Sequence, residues 1–191
     1  MTEKEKMIAG LGYFPSDPKD PELREERKAA KALCHRYNLL APHEAEQKTE
    51  LLKSLLGQVQ EANIEPSFHC DYGYNIYLGE NFYSNHNLVI LDVCPVIIGD
   101  NVMFGPNVTI TSAGHPIDAE TRNSGLEFGK KINIGNNVWL GANVTVNPGV
   151  TIGDNVVIGS GSVVTKDIPA NTVAAGVPCK VIRNIEQSQA A

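Results

Sequence analysis

The chain lacks the means to hold nucleic acid or an anionic membrane surface: among its 191 residues, 16 Lys and Arg stand against 22 Asp and Glu, a formal charge of −6. Such an acidic balance gives an electrostatic partner of that kind no support. No stretch approaches the roughly 18 consecutive apolar residues that a membrane helix requires. The charged start, MTEKEKMIAG, has no apolar core of signal-peptide length. Cysteine is sparse and scattered, at Cys34, Cys70, Cys94 and Cys179, with no CxxC pair and no zinc spacing. These residues read as reduced, buried thiols in a cytoplasmic protein, and no metal is expected. A GxSxG motif is also missing, and no cysteine has a motif partner, which disfavours an acyl-enzyme.

Residues 1–60 read as a helical cap. Met7, Ile8 and Leu11 form a short apolar cluster. Asp20 and Pro21 open a helix on which Leu23, Ala30, Leu33, Cys34 and Tyr37 recur at helical spacing. A further helix has Pro42 near its start and a stripe of Leu51, Leu52, Leu55, Leu56 and Val59. Both stripes must be buried against something larger.

From residue 75 the composition turns to Gly, Asn, Asp, Val and Ile, and a six-residue beat appears. It reads IGDNVM from Ile98 and FGPNVT from Phe104, then IGNNVW, LGANVT, VNPGVT, IGDNVV, IGSGSV and VTKDIP from Ile134 onward. A weaker copy, LGENFY from Leu78, is two residues out of phase, with CPVIIGD absorbing the offset. Each hexad suits one short strand and a tight turn, its leading aliphatic and the residue four later facing inward. Three hexads make one triangular coil, and stacked coils share a continuous core. The expectation is a mainly β solenoid over 61–185, with a tail at 186–191. A solenoid alone implies no activity.

The beat stops once for long, over an excursion at residues 111–131 that contains Gly114, His115 and Pro116. A loop of that length costs ordering entropy and buries little, so its presence points to function. An imidazole can take a hydroxyl proton near neutral pH and return it to a leaving group. His35 and His43 lie in the helical front, and His69 and His86 flank the early coils, where a packed or surface role is the simpler reading.

These hexads resemble the left-handed parallel β-helix of the hexapeptide-repeat acyltransferases. With "YGYNIYLGENFYSNHNLVILDVCPVIIGDNVMFGPNVTI", "GHPID", "AAGVPCKVIR" and the helical front, the chain looks like the maltose and galactoside O-acetyltransferases over nearly its whole length. The DVCP and CDYGYN stretches favour the maltose branch. The resemblance implies acetyl transfer from acetyl-CoA to the hydroxyl, the 6-hydroxyl, of a maltose- or glucose-like sugar, in a homotrimer with sites between subunits. It implies direct attack in a ternary complex with His115 as general base. Asn85 then matches the acceptor-side amide, while Asp71 and Asp92 fall on sugar-contacting positions. Asp17 and Asp20 compete for one further acceptor contact, and Glu127 is tied to acceptor choice. For the cofactor, Trp139 lines the groove from the hexad's outward last position. The amide of Ala142 faces the oxyanion, with Ser160 beside it where the galactoside enzymes have Ala. Thr165 and Lys166 border the pantetheine–phosphate stretch, and Lys180 or Arg183 meets the 3′-phosphate. Three alternatives stay open at this level: a galactoside or xenobiotic acceptor, a zinc hydro-lyase on the same scaffold, and a non-catalytic solenoid module.

Overall fold

The computed structural model describes residues 1–186; part of the expected tail, 187–191, lies outside the described residues. Three helices precede the strands: α1 (Glu3–Ile8), α2 (Glu22–Leu39) and α3 (Ala45–Leu55). The first coil then carries β1 (Ala62–Ile64), β2 (Phe68–Cys70) and β3 (Ile76–Leu78), and the second β4 (Phe82–Ser84), β5 (Leu88–Leu91) and β6 (Val96–Ile98). The third begins with β7 (Met103–Phe104) and β8 (Thr109–Thr111). It leaves the coil through β9 (Ala113–Gly114), α4 (Ala119–Asn123) and β10 (Phe128–Gly129), and returns at β11 (Ile132–Ile134). Below lie β12 (Trp139–Leu140), β13 (Thr145–Val146) and β14 (Thr151–Ile152), then β15 (Val157–Ile158) and β16 (Val163–Val164). The chain finishes on β17 (Thr172–Ala175) and β18 (Lys180–Asn184), which pair antiparallel.

The strands sort into three parallel stacks: β1-β4-β7-β12-β15-β17, β2-β5-β8-β13-β16, and β3-β6-β11-β14. We call them the first, second and third faces. Every leading aliphatic of the regular hexads and every residue four later is buried, from Ile98 and Val102 to Val164 and Ile168. The fold is therefore the β-solenoid that the six-residue beat demands, preceded by its helical cap.

The corners explain the Asn in that beat. All non-glycine residues with positive φ among those described are asparagines, with φ between 54° and 65°. Asn81, Asn101, Asn137, Asn155 and Asn171 stack where the third face turns into the first. Left-handed backbone costs most L-residues about 1–2 kcal/mol, and Asn tolerates it because its short amide bonds locally. Asn81 donates to Asn101 at 3.0 Å and Asn155 to Asn171 at 2.9 Å, side-chain rungs that run from coil to coil across the strand direction.

The cap seals the upper end. Tyr37 Oη donates to the Ile64 carbonyl at 2.6 Å. The Asn38 amide takes both backbone groups of Phe68, donating to its carbonyl at 2.9 Å and accepting its N–H at 2.8 Å. Leu52, Leu55 and Leu56 enter the same core as Ile64, Phe68 and Ile76. The boundary at residue 60 is blurred, because Gln58 already bridges Tyr77 in ladder fashion. Two local expectations change. Asp20 does not cap α2, whose N-terminal flank is Pro21 with no side-chain bond. Its carboxylate instead accepts the Glu3 N–H at 2.9 Å, where the first turn of α1 has a free donor. Of the apolar cluster Met7, Ile8 and Leu11, Met7 alone is buried.

Asn137→Val should lower stability by about 1–2 kcal/mol through the left-handed corner, whereas Asn137→Gly should be near neutral. Thermal unfolding of the two variants beside the parent checks the order.

Candidate active site

Coil length places the site. Cys70 pairs with Ile90 and Ile90 with Ile110, a step of 20 residues, while Leu140 pairs with Ile158, a step of 18. A straight stack has room for three hexads per coil, so the two surplus residues must bulge at a corner. They do so between the second and third faces, at residues 71–75 in the first coil and 92–95 in the second. The excursion leaves the third coil at the same corner, between β8 and β11. The phase slip and the long loop are thus one feature: three irregular corners stacked on each other.

Asp92 holds this stack together. It is fully buried, and its carboxylate accepts the N–H groups of Asp71 at 3.0 Å, Tyr72 at 2.9 Å and Asn75 at 3.3 Å. Asn75 returns a bond to the Asp92 carbonyl at 2.7 Å. Burial pushes the Asp92 carboxyl up to about 7 despite these donors, with the neighbouring Asp71 adding to the effect. In the next coil Ser112 plays a similar part: its hydroxyl accepts the Cys94 N–H at 2.9 Å and donates to the Leu91 carbonyl at 2.9 Å. Asp92 therefore supports the corner from within, where it has no exposed surface to offer a sugar.

Above it lies an ionisable cluster. Asp71 is half-buried, and burial raises its carboxyl while Arg27 and Lys31 on α2 oppose that shift. Glu127 accepts from Tyr13 Oη at 2.9 Å, and the backbones of the two residues pair antiparallel. Tyr13 packs with Met7, Leu23, Tyr72 and Val93 in a second small core that binds the N-terminal arm to the irregular corners of the first two coils. The Tyr72 hydroxyl is buried there without a hydrogen-bond partner among the described residues. Asp17 lies across from Ser124 and Gly125 of the excursion, lining a cleft of about 340 Å³; Asp20, committed to α1, does not.

The excursion is no open loop. β9 and β10 pair as an antiparallel ribbon with Gly114 opposite Phe128, and a side chain at 114 would collide with the Phe128 ring. Asp118 caps α4 by accepting the Thr121 N–H at 2.8 Å. The Arg122 guanidinium donates to the carbonyls of Pro116 at 3.1 Å and Ile117 at 2.8 Å, which fastens the segment following His115. The imidazole of His115 is exposed at the head of this ribbon.

The remaining predicted residues lie elsewhere. Asn85 stands at the corner between the first and second faces, its Oδ1 accepting the His86 N–H at 2.7 Å. Ala142 and Ser160 occupy that same corner lower down, and the Ala142 N–H donates to Ser160 Oγ at 3.1 Å. Trp139 points outward from the first face with 51% of its surface exposed. Thr165 and Lys166 are exposed below the excursion corner, and Lys180 and Arg183 are exposed on β18. One chain thus divides the predicted residues between two corners of the prism and does not bring His115 and Asn85 to one edge. Tyr13, Tyr72, Ser112 and Asn75 were not singled out from the sequence; the two-residue phase slip was the signal that marked their corner.

No group of three or more potential metal-binding side chains exists among the described residues, and no described helix is long and apolar enough to cross a membrane. Residues 6–60 match the maltose acetyltransferase hexapeptide capping motif, residues 131–166 the six-repeat bacterial transferase hexapeptide, and residues 95–117 the hexapeptide repeat of succinyl-transferase. The chain is similar to a maltose O-acetyltransferase from Clostridium difficile 630, with 54% identity, coverage of 98% of this chain and 99% of that one, and a TM-score of 0.94. It is also similar to a galactoside acetyltransferase solved with coenzyme A, at 48% identity, 97% and 92% coverage and a TM-score of 0.91. The galactoside O-acetyltransferase of Escherichia coli K12 is 52% identical over 164 residues, 85% of this chain and 81% of that one. A solenoid of this construction with these relatives is an acyltransferase scaffold. The chain belongs to the hexapeptide-repeat acetyltransferase family, close to the maltose and galactoside O-acetyltransferases.

Asp92→Ala should leave three N–H groups unpaired, those of Tyr72 and Asn75 buried, and cost about 3 kcal/mol or more, a fall of roughly 6–12 °C in Tm. The native carboxyl, raised from 3.8, binds its proton more tightly folded than unfolded. Its contribution is therefore full below about pH 4 and lost as pH rises through about 7. Thermal unfolding across that window should show a decline in the parent that the Ala variant lacks.

Proposed function

We propose that the protein transfers an acetyl group from acetyl-CoA to a hydroxyl, the 6-hydroxyl, of a maltose- or glucose-like sugar, by direct attack within a ternary complex. The observation that carries this reading is the excursion ribbon: it holds His115 out at the head of the corner that also bears Asp71 and Glu127. The similarity to maltose and galactoside O-acetyltransferases supports an acceptor of this class.

His115 takes the proton of the sugar hydroxyl as its oxygen bonds to the thioester carbonyl carbon. When the C–S bond breaks, the imidazolium returns the proton to the departing thiolate, and atoms and charge balance without an acyl-enzyme. Asp71, Glu127 and Asp17 grip acceptor hydroxyls, since carboxylates accept hydroxyl hydrogen bonds. Asp92 serves this grip indirectly by fixing the backbone of Asp71. Trp139, Thr165, Lys166, Lys180 and Arg183 line the coenzyme path, with cations for its phosphates.

The division between two corners supports a trimer in which one subunit supplies His115 and its neighbour supplies Asn85, Ala142 and Trp139. A head-to-tail contact of this kind closes into a ring. Exposed Ile117, Met103 and Trp139 offer apolar surface for it. The cytoplasm is the proposed compartment.

His115→Ala should reduce kcat roughly 10²–10⁴-fold, as for loss of a general base, with the trimer intact by light scattering. Thiol release with maltose, glucose and galactosides ranks the acceptors, and unchanged turnover in the variant would remove His115 from the chemistry. Ser160→Ala frees the Ala142 N–H for the thioester oxygen and should raise kcat/KM for acetyl-CoA by about two- to tenfold, the worth of one neutral hydrogen bond. A fall would assign the donor role to the hydroxyl instead.

A further inference from the structure

From Asp71, which lines one end of it, an open groove of about 540 Å³ runs between α2 and the first coils. Its floor is Leu91 with the thiols of Cys34 and Cys70, whose sulfurs face each other at 3.6 Å. Its rim carries Lys31, His35 and His69. The neutral polar side chains along it are already engaged. Asn38 is used at both amide atoms by the Phe68 backbone, and the Ser67 hydroxyl donates to Asn87 at 3.1 Å.

The side chains of Lys31, His35 and His69, by contrast, make no hydrogen bond or ion pair among the described residues, nor does that of Arg27 one helical turn before Lys31. Arg27, Lys31 and His35 follow at intervals of four on α2 and so share one face of that helix, and His69 projects outward from β2 opposite them. Asp71, at the end of the groove next to the irregular corner, is its one carboxylate, and Arg27 and Lys31 oppose that charge. A group of negative charge would find several basic side chains, over an apolar floor.

We infer that this groove is an extension of the acceptor site that binds an anionic substituent (a carboxylate, sulfate or phosphate) carried on the glycan one or two sugar units from the hydroxyl that is acetylated. The inference rests on the reading of Asp71 as an acceptor contact. It makes charged oligosaccharides better substrates than the neutral disaccharides. The attraction comes from exposed cations and is screened by salt over a distance of about 10 Å at 0.1 M.

The test compares maltose with a disaccharide of the same linkage whose far ring is a glucuronate, together with its neutral methyl ester and a glucose disaccharide phosphorylated on the far ring. At low ionic strength kcat/KM for the anionic acceptors should exceed that for maltose and the ester by about tenfold, the worth of one to two kcal/mol. The advantage should shrink in 0.5 M salt and shrink again in a His35→Gln, His69→Gln double variant that still acetylates maltose at the parental rate. Which anion gains most separates carboxylate from phosphate as the natural substituent. Binding is read independently from the imidazole NMR signals of His35 and His69 on titration with the glucuronate disaccharide. Equal kcat/KM for charged and neutral acceptors, with His35 and His69 signals unmoved by the ligand, would overturn the inference. Absence of transfer to every sugar would instead overturn the proposed activity, and shifts of His35 and His69 would then still support the anion site.

Discussion

The structure depends on the inward stacking of aliphatic side chains at six-residue intervals. Each coil must place its apolar residues directly over those of the coil above, as Ile98 stands on Leu78 and Ile134 on Ile98. A core built in this way accepts a change in coil length only at a corner, because an extra residue within a face would turn its side chains inside out. Freedom is therefore confined to three edges of a prism, and chemistry has to be sited there.

The irregular corner shows how that freedom is used. Two surplus residues in each of the first two coils create room, and the room is filled by polar groups that must be paired. Asp92 meets the N–H groups of Asp71, Tyr72 and Asn75, and Ser112 meets Cys94 one level down. With the backbone so fixed, Asp71 and the excursion ribbon take defined positions. The N-terminal arm, tied to the ribbon through Tyr13 and Glu127, closes the corner from outside.

Much of this was legible in the residues. The hexads disclosed the inward set from Ile134 to Ile168 without error, because a strict period leaves one way to bury its aliphatics. The cap helices followed from the spacing of Leu23, Ala30, Cys34 and Tyr37. His115 stood out because the beat stopped there. The burial of Asp92 was not legible: a carboxylate capping the backbone of a coil 20 residues earlier leaves no local trace. The duty of Asp20 escaped for the same reason, since a helix-start signal in sequence does not say which helix it serves. The antiparallel ribbon within the excursion was hidden because two-residue strands such as Ala113–Gly114 show no alternation.

A stack of equal coils has no inherent length, and its last open strand is a template for another chain. At the upper end of the second face the template is blunted by a single side chain. The amide of Asn38 has the donor and acceptor of a peptide group, and it presents them to Phe68 as the next rung would. The open strand thereby meets an imitation of a further rung, and two of the backbone groups on which a second chain could build are already taken.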